Sequence, residues 1–168
     1  MPNRRDVLRR LEGVLLRANE PPCAVLIVDI DHFKSINDHH GHPMGDEVLK
    51  FIARELHTAV REPAFFGRLG GEEFLIALPD TSLEKGCTAA ERFREQISSI
   101  DTTRWFPARR RITASIGVTA SQSGICTSSD MLMRADAALY AAKRAGRNCV
   151  KASNEPPQQG SSPESKIA

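Results

Sequence analysis

Two adjacent carboxylates directly follow two glycines in the segment RLGGEEF at residues 68–74, and apolar runs flank this segment. Two glycines between apolar runs predict a tight hairpin with a two-residue Gly-Gly turn, because such turns need positive φ angles. Glycines at the tip would let a ligand approach the backbone closely. Glu72 and Glu73 would then stand beside the ligand, although a surface hairpin with solvated glutamates is an equally good interpretation of this segment alone.

A second acidic position lies at the end of a predicted strand. Residues 23–28 form an apolar run rich in β-branched side chains, which predicts a buried strand, and Asp29 follows immediately. A carboxylate that ends a buried strand is either exposed at the sheet edge or bound to a positive group. Asp29 is therefore a candidate metal ligand, with a strand-end cap as the alternative. Asp31 is assigned to capping the helix that follows rather than to a metal.

The elements that must position these acids follow from periodicity and from turn residues. The predicted helices cover residues 4–18 (capped by Asn3), 33–39, 44–60, 83–97 and 129–145 (capped by Ser129 and Asp130, ended by Gly146). The predicted strands cover residues 23–28, a hairpin at 64–78, 105–106, 111–119 and 148–151. We expect an α+β fold of the split βαβ type (ferredoxin-like or palm-like), in which helices flank a mostly antiparallel central sheet.

In this arrangement the end of the first strand meets the tip of the hairpin. Asp29 and Glu72 then approach each other, with Glu73 adjacent. Clustered carboxylates repel one another unless a cation lies between them. Mg²⁺ or Mn²⁺ suits such oxygen ligands, and two ions could activate an attacking hydroxyl and stabilise a leaving pyrophosphate.

The segment DIDHFKSINDHHGHPMGD at residues 29–46, followed by GGEEF at residues 70–74, resembles the GGDEF family, the diguanylate cyclases. The resemblance extends from about residue 3 to residue 150. It implies an enzyme that condenses two GTP molecules into cyclic di-GMP and two pyrophosphates. It implies Asp29, Glu72 and the carbonyl of Ile30 as ligands of Mg²⁺ or Mn²⁺, with two ions per active site. It further implies Glu72 or Glu73 as the group that helps to deprotonate the ribose 3′-hydroxyl.

Three cations could meet the phosphates of a nucleotide. Lys34 lies in the first turn of a predicted helix and could neutralise a phosphoryl group in transfer, although a lone lysine is more often solvated. Lys143 and Arg147 lie four residues apart at the end of the last predicted helix. They could bind the β- and γ-phosphates or simply complement the helix C-terminus. The resemblance favours phosphate binding for this pair.

Two polar side chains could read a guanine base. A carboxylate such as Asp46 accepts from the N1–H and N2 amino donors of guanine, and an amide such as Asn37 can both donate and accept. The resemblance places base recognition on Asn37 and Asp46, with His42 nearby. Phe33 and Leu49 either wall the base pocket or belong to the core. A helix-end position for Asn37 and a macrodipole role for Asp46 are the alternatives.

One segment departs from the family pattern. Many members carry an inhibitory Arg-x-x-Asp site for the product, which ends five residues before the glycine pair. Here Arg61 is present, but Ala64 replaces the aspartate. This incomplete inhibitory site predicts weak or absent inhibition by cyclic di-GMP.

Composition and length set the remaining expectations. The chain has 168 residues with 40% hydrophobic and 26% charged residues, typical of one globular domain, and its net charge of +2 argues against nucleic acid or a membrane surface as a partner. We expect a truncated GGDEF start with a helix in residues 1–20, the catalytic domain in residues 21–151 and a disordered tail in residues 152–168. A cytoplasmic location, a missing upstream sensor domain and a second copy of the chain as the partner in catalysis complete these expectations.

Two other function classes stay open on the sequence. One is a non-catalytic module that binds GTP or cyclic di-GMP and regulates a partner. The other is a different nucleotidyl cyclase or a polymerase-like palm, which shares the carboxylate and metal chemistry. Asn37 and Asp46 favour guanine over adenine.

Overall fold

The computed structural model of the chain describes residues 2–16, 21–106, 111–121 and 127–153. Its helices are α1 (Arg4–Leu15), α2 (Phe33–His40), α3 (His42–Ala59), α4 (Leu83–Ser98) and α5 (Ser128–Arg144). Its strands are β1 (Ala24–Ile30), β2 (Phe65–Gly70), β3 (Glu73–Leu78), β4 (Ala114–Ala120) and β5 (Val150–Ala152).

The strands form one sheet in the order β2-β3-β1-β4-β5. All neighbouring strands pair antiparallel except β4 and β5, which run parallel. The central strand β1 is buried along its whole length, as its continuous apolar sequence predicts. The predicted α+β fold with a mostly antiparallel sheet and flanking helices is confirmed.

Side chains on the two faces of the sheet belong to separate hydrophobic clusters, as the two-residue period of a strand requires. Leu26 and Val28 of β1 pack with α2, α3 and α4 on one face. Val25 and Ile27 pack with α1 and α5 on the other face. Full burial of each such side chain stabilises the folded state by roughly 1.5–3 kcal/mol. Both clusters therefore stabilise the sheet, at whose end the acidic residues lie.

The helix ends show which sequence signals were sufficient. Asn3 caps α1 in a capping box with Asp6, which confirms the predicted cap. The predicted cap of α5 at Ser129 and Asp130 is wrong. The N-cap is Thr127, and Asp130 is the third residue of the helix, whose side chain completes the capping box. Gly146 follows the end of α5 with φ +109, as predicted.

Residues 105–106 do not form the predicted strand. The backbone N–H groups of Trp105 and Phe106 both donate to the carbonyl of Thr102, at 3.0 and 2.8 Å, which folds the segment into a turn. Asp101 fixes this turn by accepting from the N–H and the hydroxyl of Thr103. Phe106 is buried in the core and Trp105 packs against it, so these aromatic side chains contribute to the core and not to a strand.

Several sequence predictions fall on residues outside the described ranges. They concern the end of the first helix beyond residue 16, the basic residues 109 and 110, and the tail from residue 154 onward. Ala152, which the sequence assigned to the tail, instead belongs to β5. No helix in the described part of the chain is long and apolar enough to span a membrane.

Gly117 of β4 sets how closely α5 approaches the sheet. A Cβ atom there would overlap the carbonyl oxygen of Ala135 and the amide nitrogen of Leu139, and it would lie 2.9 Å from the Leu139 Cα. Backbone atoms cannot rotate away, so Gly117→Ala must displace α5 from the sheet. We expect this change to lower the free energy of unfolding by about 1–3 kcal/mol, as overpacking does. Urea unfolding measures this loss of stability. An unchanged midpoint would show that α5 can move away from Gly117 without cost.

Candidate active site

The hairpin tip differs by one residue from the prediction. β2 ends at Gly70 and β3 begins at Glu73, so Gly71 and Glu72 form the turn, not the two glycines. A bulge between Arg68 and Gly70 produces this shift. Gly71 adopts φ +48, and its carbonyl accepts a 2.8 Å hydrogen bond from Arg68 Nε. Glu72 therefore lies in the turn itself, and Glu73 lies in the strand.

Strand register brings the acidic positions together. Asp29 at the end of β1 pairs with Glu73 of β3 and with Ser115 of β4. The Ile30 amide also faces the Glu72 carbonyl oxygen at 3.4 Å. The end of β1 and the hairpin tip thus meet as the split βαβ arrangement predicts. Asp29 is buried, with 6% of its surface exposed.

Lys143 of α5 provides the positive charge for this cluster. Its Nζ donates to Asp29 Oδ2 at 2.7 Å, and the Asp29 side chain is only 9% exposed. Burial raises the pKa of Asp29 above its ordinary value; Lys143 opposes this, and Glu72 and Asp31 add to it. Burial is also the main cause that raises the pKa of Glu73, with Asp29 second. Burial and neighbouring carboxylates thus disfavour the charged forms of Asp29 and Glu73, and a bound cation would favour them.

The residues present fit a divalent cation. Carboxylates of Asp29 and Glu72 and the carbonyl of Ile30 are hard oxygen donors of the kind that Mg²⁺ and Mn²⁺ prefer. The Lys143 ammonium already occupies the position of a cation on Asp29. Within the described ranges no three His, Cys, Asp or Glu side chains group as metal ligands. The predicted set does not need three, because it uses two carboxylates and one backbone oxygen.

Arg147, the predicted phosphate ligand that follows Lys143, lies just beyond the end of α5. Gly146 reverses the chain, and the Arg147 amide donates to the Ala142 carbonyl at 3.1 Å, as in a Schellman-type helix end. Arg147 is exposed and forms no ion pair within the described ranges. Lys143 and Arg147 thus share one helix end, and phosphate binding by this pair stays a prediction.

The predicted base-reading residues lie where α2 packs against α3. Asn37 Oδ1 is buried and has no hydrogen-bond partner among the described residues, which calls for an explanation in a native structure. A Cβ atom at Gly45 would overlap Asn37 Oδ1 and approach Phe33 Cζ at 3.0 Å. Gly45 is therefore required for the close contact that orients Asn37. Gly45 was not among the residues predicted from the sequence, although its place beside Asp46 in residues 29–46 was an available signal.

The other residues of the predicted base pocket divide by burial. His42, the first residue of α3, and Asp46, four residues further along the helix, are both exposed. Phe33 and Leu49 are buried members of the main core cluster. Phe33 also lies beside the Asn37–Gly45 contact, where a Cβ atom on Gly45 would approach its Cζ at 3.0 Å. Their contact with a base stays a prediction.

Lys34 and Arg61 are both exposed, without an ion pair within the described ranges. Lys34 lies in the first turn of α2, where a phosphoryl group could reach it. Arg61 lies between α3 and β2, and its carbonyl accepts from the Ala64 amide at 2.9 Å. The guanidinium of Arg61 thus lacks the carboxylate that an Arg-x-x-Asp pair would place beside it.

The predicted capping role of Asp31 is wrong. The N-cap of α2 is His32, in a left-handed conformation with φ +56, and no side chain caps the helix. Asp31 instead accepts from the hydroxyls of Thr113 and Ser115, both at 2.7 Å. Neither Thr113 nor Ser115 was among the residues predicted from the sequence. Their two-residue spacing beside β4, which puts both on one face, was the only signal for them.

The fold and the site define a GGDEF domain. The sequence matches the family described as "Diguanylate cyclase, GGDEF domain" over residues 1–149. The chain is 44% identical to the diguanylate cyclase DgcP of Pseudomonas aeruginosa over 150 residues, which are 88% of this chain and 22% of DgcP. The chain therefore belongs to the GGDEF family, and it spans about a fifth of the length of this relative.

Solved structures agree with this assignment. The active GGEEF domain of a diguanylate cyclase from Vibrio cholerae superposes with a TM-score of 0.83 at 35% identity, covering 91% of this chain and 97% of that one. The coiled coil and GGDEF domain of DgcB from Caulobacter crescentus, in complex with c-di-GMP, gives 0.84 at 33% identity, covering 91% and 82%. GGDEF cyclases generally use a divalent metal, which agrees with the oxygen donors around Asp29.

Proposed function

We propose that this chain is a diguanylate cyclase that condenses two GTP molecules into cyclic di-GMP. The observation that carries the proposal is the meeting of Asp29, Glu72 and Glu73 at the end of β1, with Lys143 bound to Asp29 at 2.7 Å. Four charged groups at one sheet end suit a reaction that moves negative charge between phosphate oxygens.

The proposed reaction forms two bonds and breaks two. Each ribose 3′-oxygen attacks the α-phosphorus of the other GTP, and the bond from that phosphorus to the bridging oxygen breaks to release pyrophosphate. Glu72 or Glu73 takes the hydroxyl proton. Burial and the neighbouring Asp29 raise the pKa of Glu73, which makes its carboxylate a better proton acceptor than an exposed glutamate.

Asp29, the Ile30 carbonyl and Glu72 would hold the divalent metal, which we propose to be Mg²⁺ or Mn²⁺ with two ions per site. When bound, the metal supplies charge stabilisation to the attacking and leaving oxygens. Lys34, Lys143 and Arg147 would bind the phosphates, and their positive charge offsets the charge of the triphosphate. Lys143 must turn from Asp29 toward phosphate for this, which agrees with its half-buried position at the rim.

Asn37 and Asp46 would select guanine, with His42 nearby. The contact with Gly45, which a Cβ atom would overlap, fixes the position of the Asn37 side chain between α2 and α3 and supports this role. Since one domain holds one GTP, a second copy of the chain must bring the second GTP, related by a two-fold axis. A cytoplasmic location, where GTP is available, belongs to the same proposal.

The proposal is tested by incubating the chain with GTP and Mg²⁺ and separating the products by chromatography. We expect cyclic di-GMP and pyrophosphate in a 1:2 ratio, no cyclic product from ATP, and no product from GTP after chelation of the metal. Bound GTP without any product would instead indicate a non-catalytic binding module.

The incomplete inhibitory site gives a separate prediction. We expect cyclic di-GMP at micromolar concentration to leave the turnover rate unchanged, because Arg61 has no carboxylate partner at residue 64. Ala64→Asp should restore inhibition and lower the inhibition constant of cyclic di-GMP about tenfold or more, since a hydrogen bond to a charged group contributes roughly 1.5–3 kcal/mol. Ala64→Asn, which lacks the charge, is the matched control. Micromolar inhibition of the unchanged chain would contradict the prediction.

A further inference from the structure

Asp31 is a buried carboxylate with a complete set of donors at the end of β1. It is 6% exposed. Its Oδ1 accepts from the Ser115 hydroxyl at 2.7 Å, and its Oδ2 accepts from the Thr113 hydroxyl at 2.7 Å and the Asn148 amide at 3.1 Å. Three donors engage both oxygens. Asp31 therefore differs from Asp29, whose side chain accepts from the partly exposed ammonium of Lys143.

The third of these bonds reaches a strained segment between α5 and β5. Gly146, Arg147 and Asn148 have φ angles of +109, +67 and +44. Two of them are not glycine, and such residues keep a left-handed conformation only when their surroundings hold them there. The backbone conformation of the turn from Gly146 to Asn148 therefore depends on the contacts that hold it.

The side chains of Asp31, which follows β1, and Arg94 of α4 both bind Asn148. Asp31 accepts from its backbone amide at 3.1 Å. Arg94 of α4 donates from Nη1 to its side-chain oxygen at 3.0 Å. Arg94 is itself fixed by Glu91, whose Oε2 lies 2.7 Å from Arg94 Nε. Asn148 is thus fixed from the strand side and from the α4 side.

Arg147 lies in this turn, between Gly146 and Asn148. Its own amide donates to Ala142, and its side chain is exposed. The end of β1 therefore holds the end of α5 twice, through Asp29 and Lys143 and through Asp31 and Asn148. Loss of the second connection removes one of the hydrogen bonds that hold the backbone next to Arg147, while the Lys143 pair remains.

We propose that Asp31 is a positioning residue that holds Arg147 where the terminal phosphates of the nucleotide bind. This inference rests on the proposed function, because it assigns Arg147 to phosphate. Three donors already engage both oxygens of Asp31, so the role proposed for it is to position Arg147 and not to contact substrate or metal. Its loss should weaken the part of the affinity that depends on the β- and γ-phosphates and leave base binding unchanged.

The test compares 3′-deoxy-GTP and 3′-deoxy-GMP, which lack the attacking hydroxyl and cannot react. Their dissociation constants are measured with Mg²⁺ by calorimetry for the unchanged chain, Asp31→Asn and Arg94→Met. We expect the preference for the triphosphate to fall about fivefold or more in Asp31→Asn, which loses a charge-assisted hydrogen bond. Arg94→Met, which removes the other tether, should reduce it in the same direction. Affinity for 3′-deoxy-GMP should stay the same.

Asp130→Asn is the matched control, because it makes the same chemical change in the capping box at the opposite end of α5. It should lower the melting temperature without changing the preference for the triphosphate. A folded Asp31→Asn chain with an unchanged preference would overturn the positioning role, and Arg94→Met decides the question if Asp31→Asn does not fold. An unchanged chain that binds both nucleotides equally would overturn the assignment of Lys143 and Arg147 to the terminal phosphates, on which this proposal rests.

Discussion

Replacing Glu72 with glutamine is expected to lower the rate of cyclic di-GMP formation by at least about 10³-fold, which combines the losses typical of a proton acceptor and of a metal ligand. Glu72 lies in the hairpin turn, where its backbone faces Ile30 and its charge acts on both Asp29 and Glu73. Glutamine keeps the size and can still accept a hydrogen bond, but it carries no charge and takes no proton.

The fold should survive this change, because the turn depends on Gly71 and on the Arg68 hydrogen bond rather than on the Glu72 side chain. Glu84→Gln is the matched control, since Glu84 is exposed in the first turn of α4, away from the acidic cluster. We expect unchanged turnover in this control. Turnover of Glu72→Gln within tenfold of the unchanged chain would show that Glu73 or Asp29 carries the chemistry without it.

Replacing Gly45 with alanine is expected to weaken GTP binding by about 5–150-fold, the range for loss of a bidentate base contact worth roughly 1–3 kcal/mol. The added methyl group would overlap Asn37 Oδ1, so the amide must leave its orientation. Fluorescence or calorimetric titration with 3′-deoxy-GTP measures this loss. Discrimination between guanine and adenine nucleotides should fall in parallel, because the phosphate-binding residues are untouched.

Gly13→Ala provides the control for this second change. Gly13 lies within α1, and a Cβ atom there would meet nothing within 4 Å. Alanine at this position should raise stability by roughly 0.5–1 kcal/mol through helix propensity and leave nucleotide affinity unchanged. Full GTP affinity in Gly45→Ala would contradict the assignment of Asn37 to base recognition.

The sequence was sufficient for features that depend on neighbours along the chain. The buried strand before Asp29 follows from its continuous apolar run, and the cap at Asn3 follows from residue type and spacing. The helix end at Gly146 follows from the conformational freedom of glycine. These features rest on local preferences, which a single sequence displays.

Long-range contacts were beyond a single sequence. Asp31 looked like a helix cap because a helix follows it, yet its hydroxyl partners lie 82 and 84 residues away. The pair of Lys143 and Asp29 spans 114 residues. Trp105 and Phe106 have strand-like residue types, but packing on the core decides their conformation. The Gly71–Glu72 turn depends on a bulge that the pattern of apolar residues does not reveal.

We propose that each chain binds one GTP and that two chains must meet to make cyclic di-GMP. The most direct measurement is the rate of cyclic di-GMP formation per chain, at saturating GTP and Mg²⁺, across a wide range of protein concentrations. We expect a rate per chain that rises with protein concentration in the low range and is lost in Glu72→Gln at every concentration. Absence of cyclic di-GMP at every concentration, with GTP bound, would contradict it.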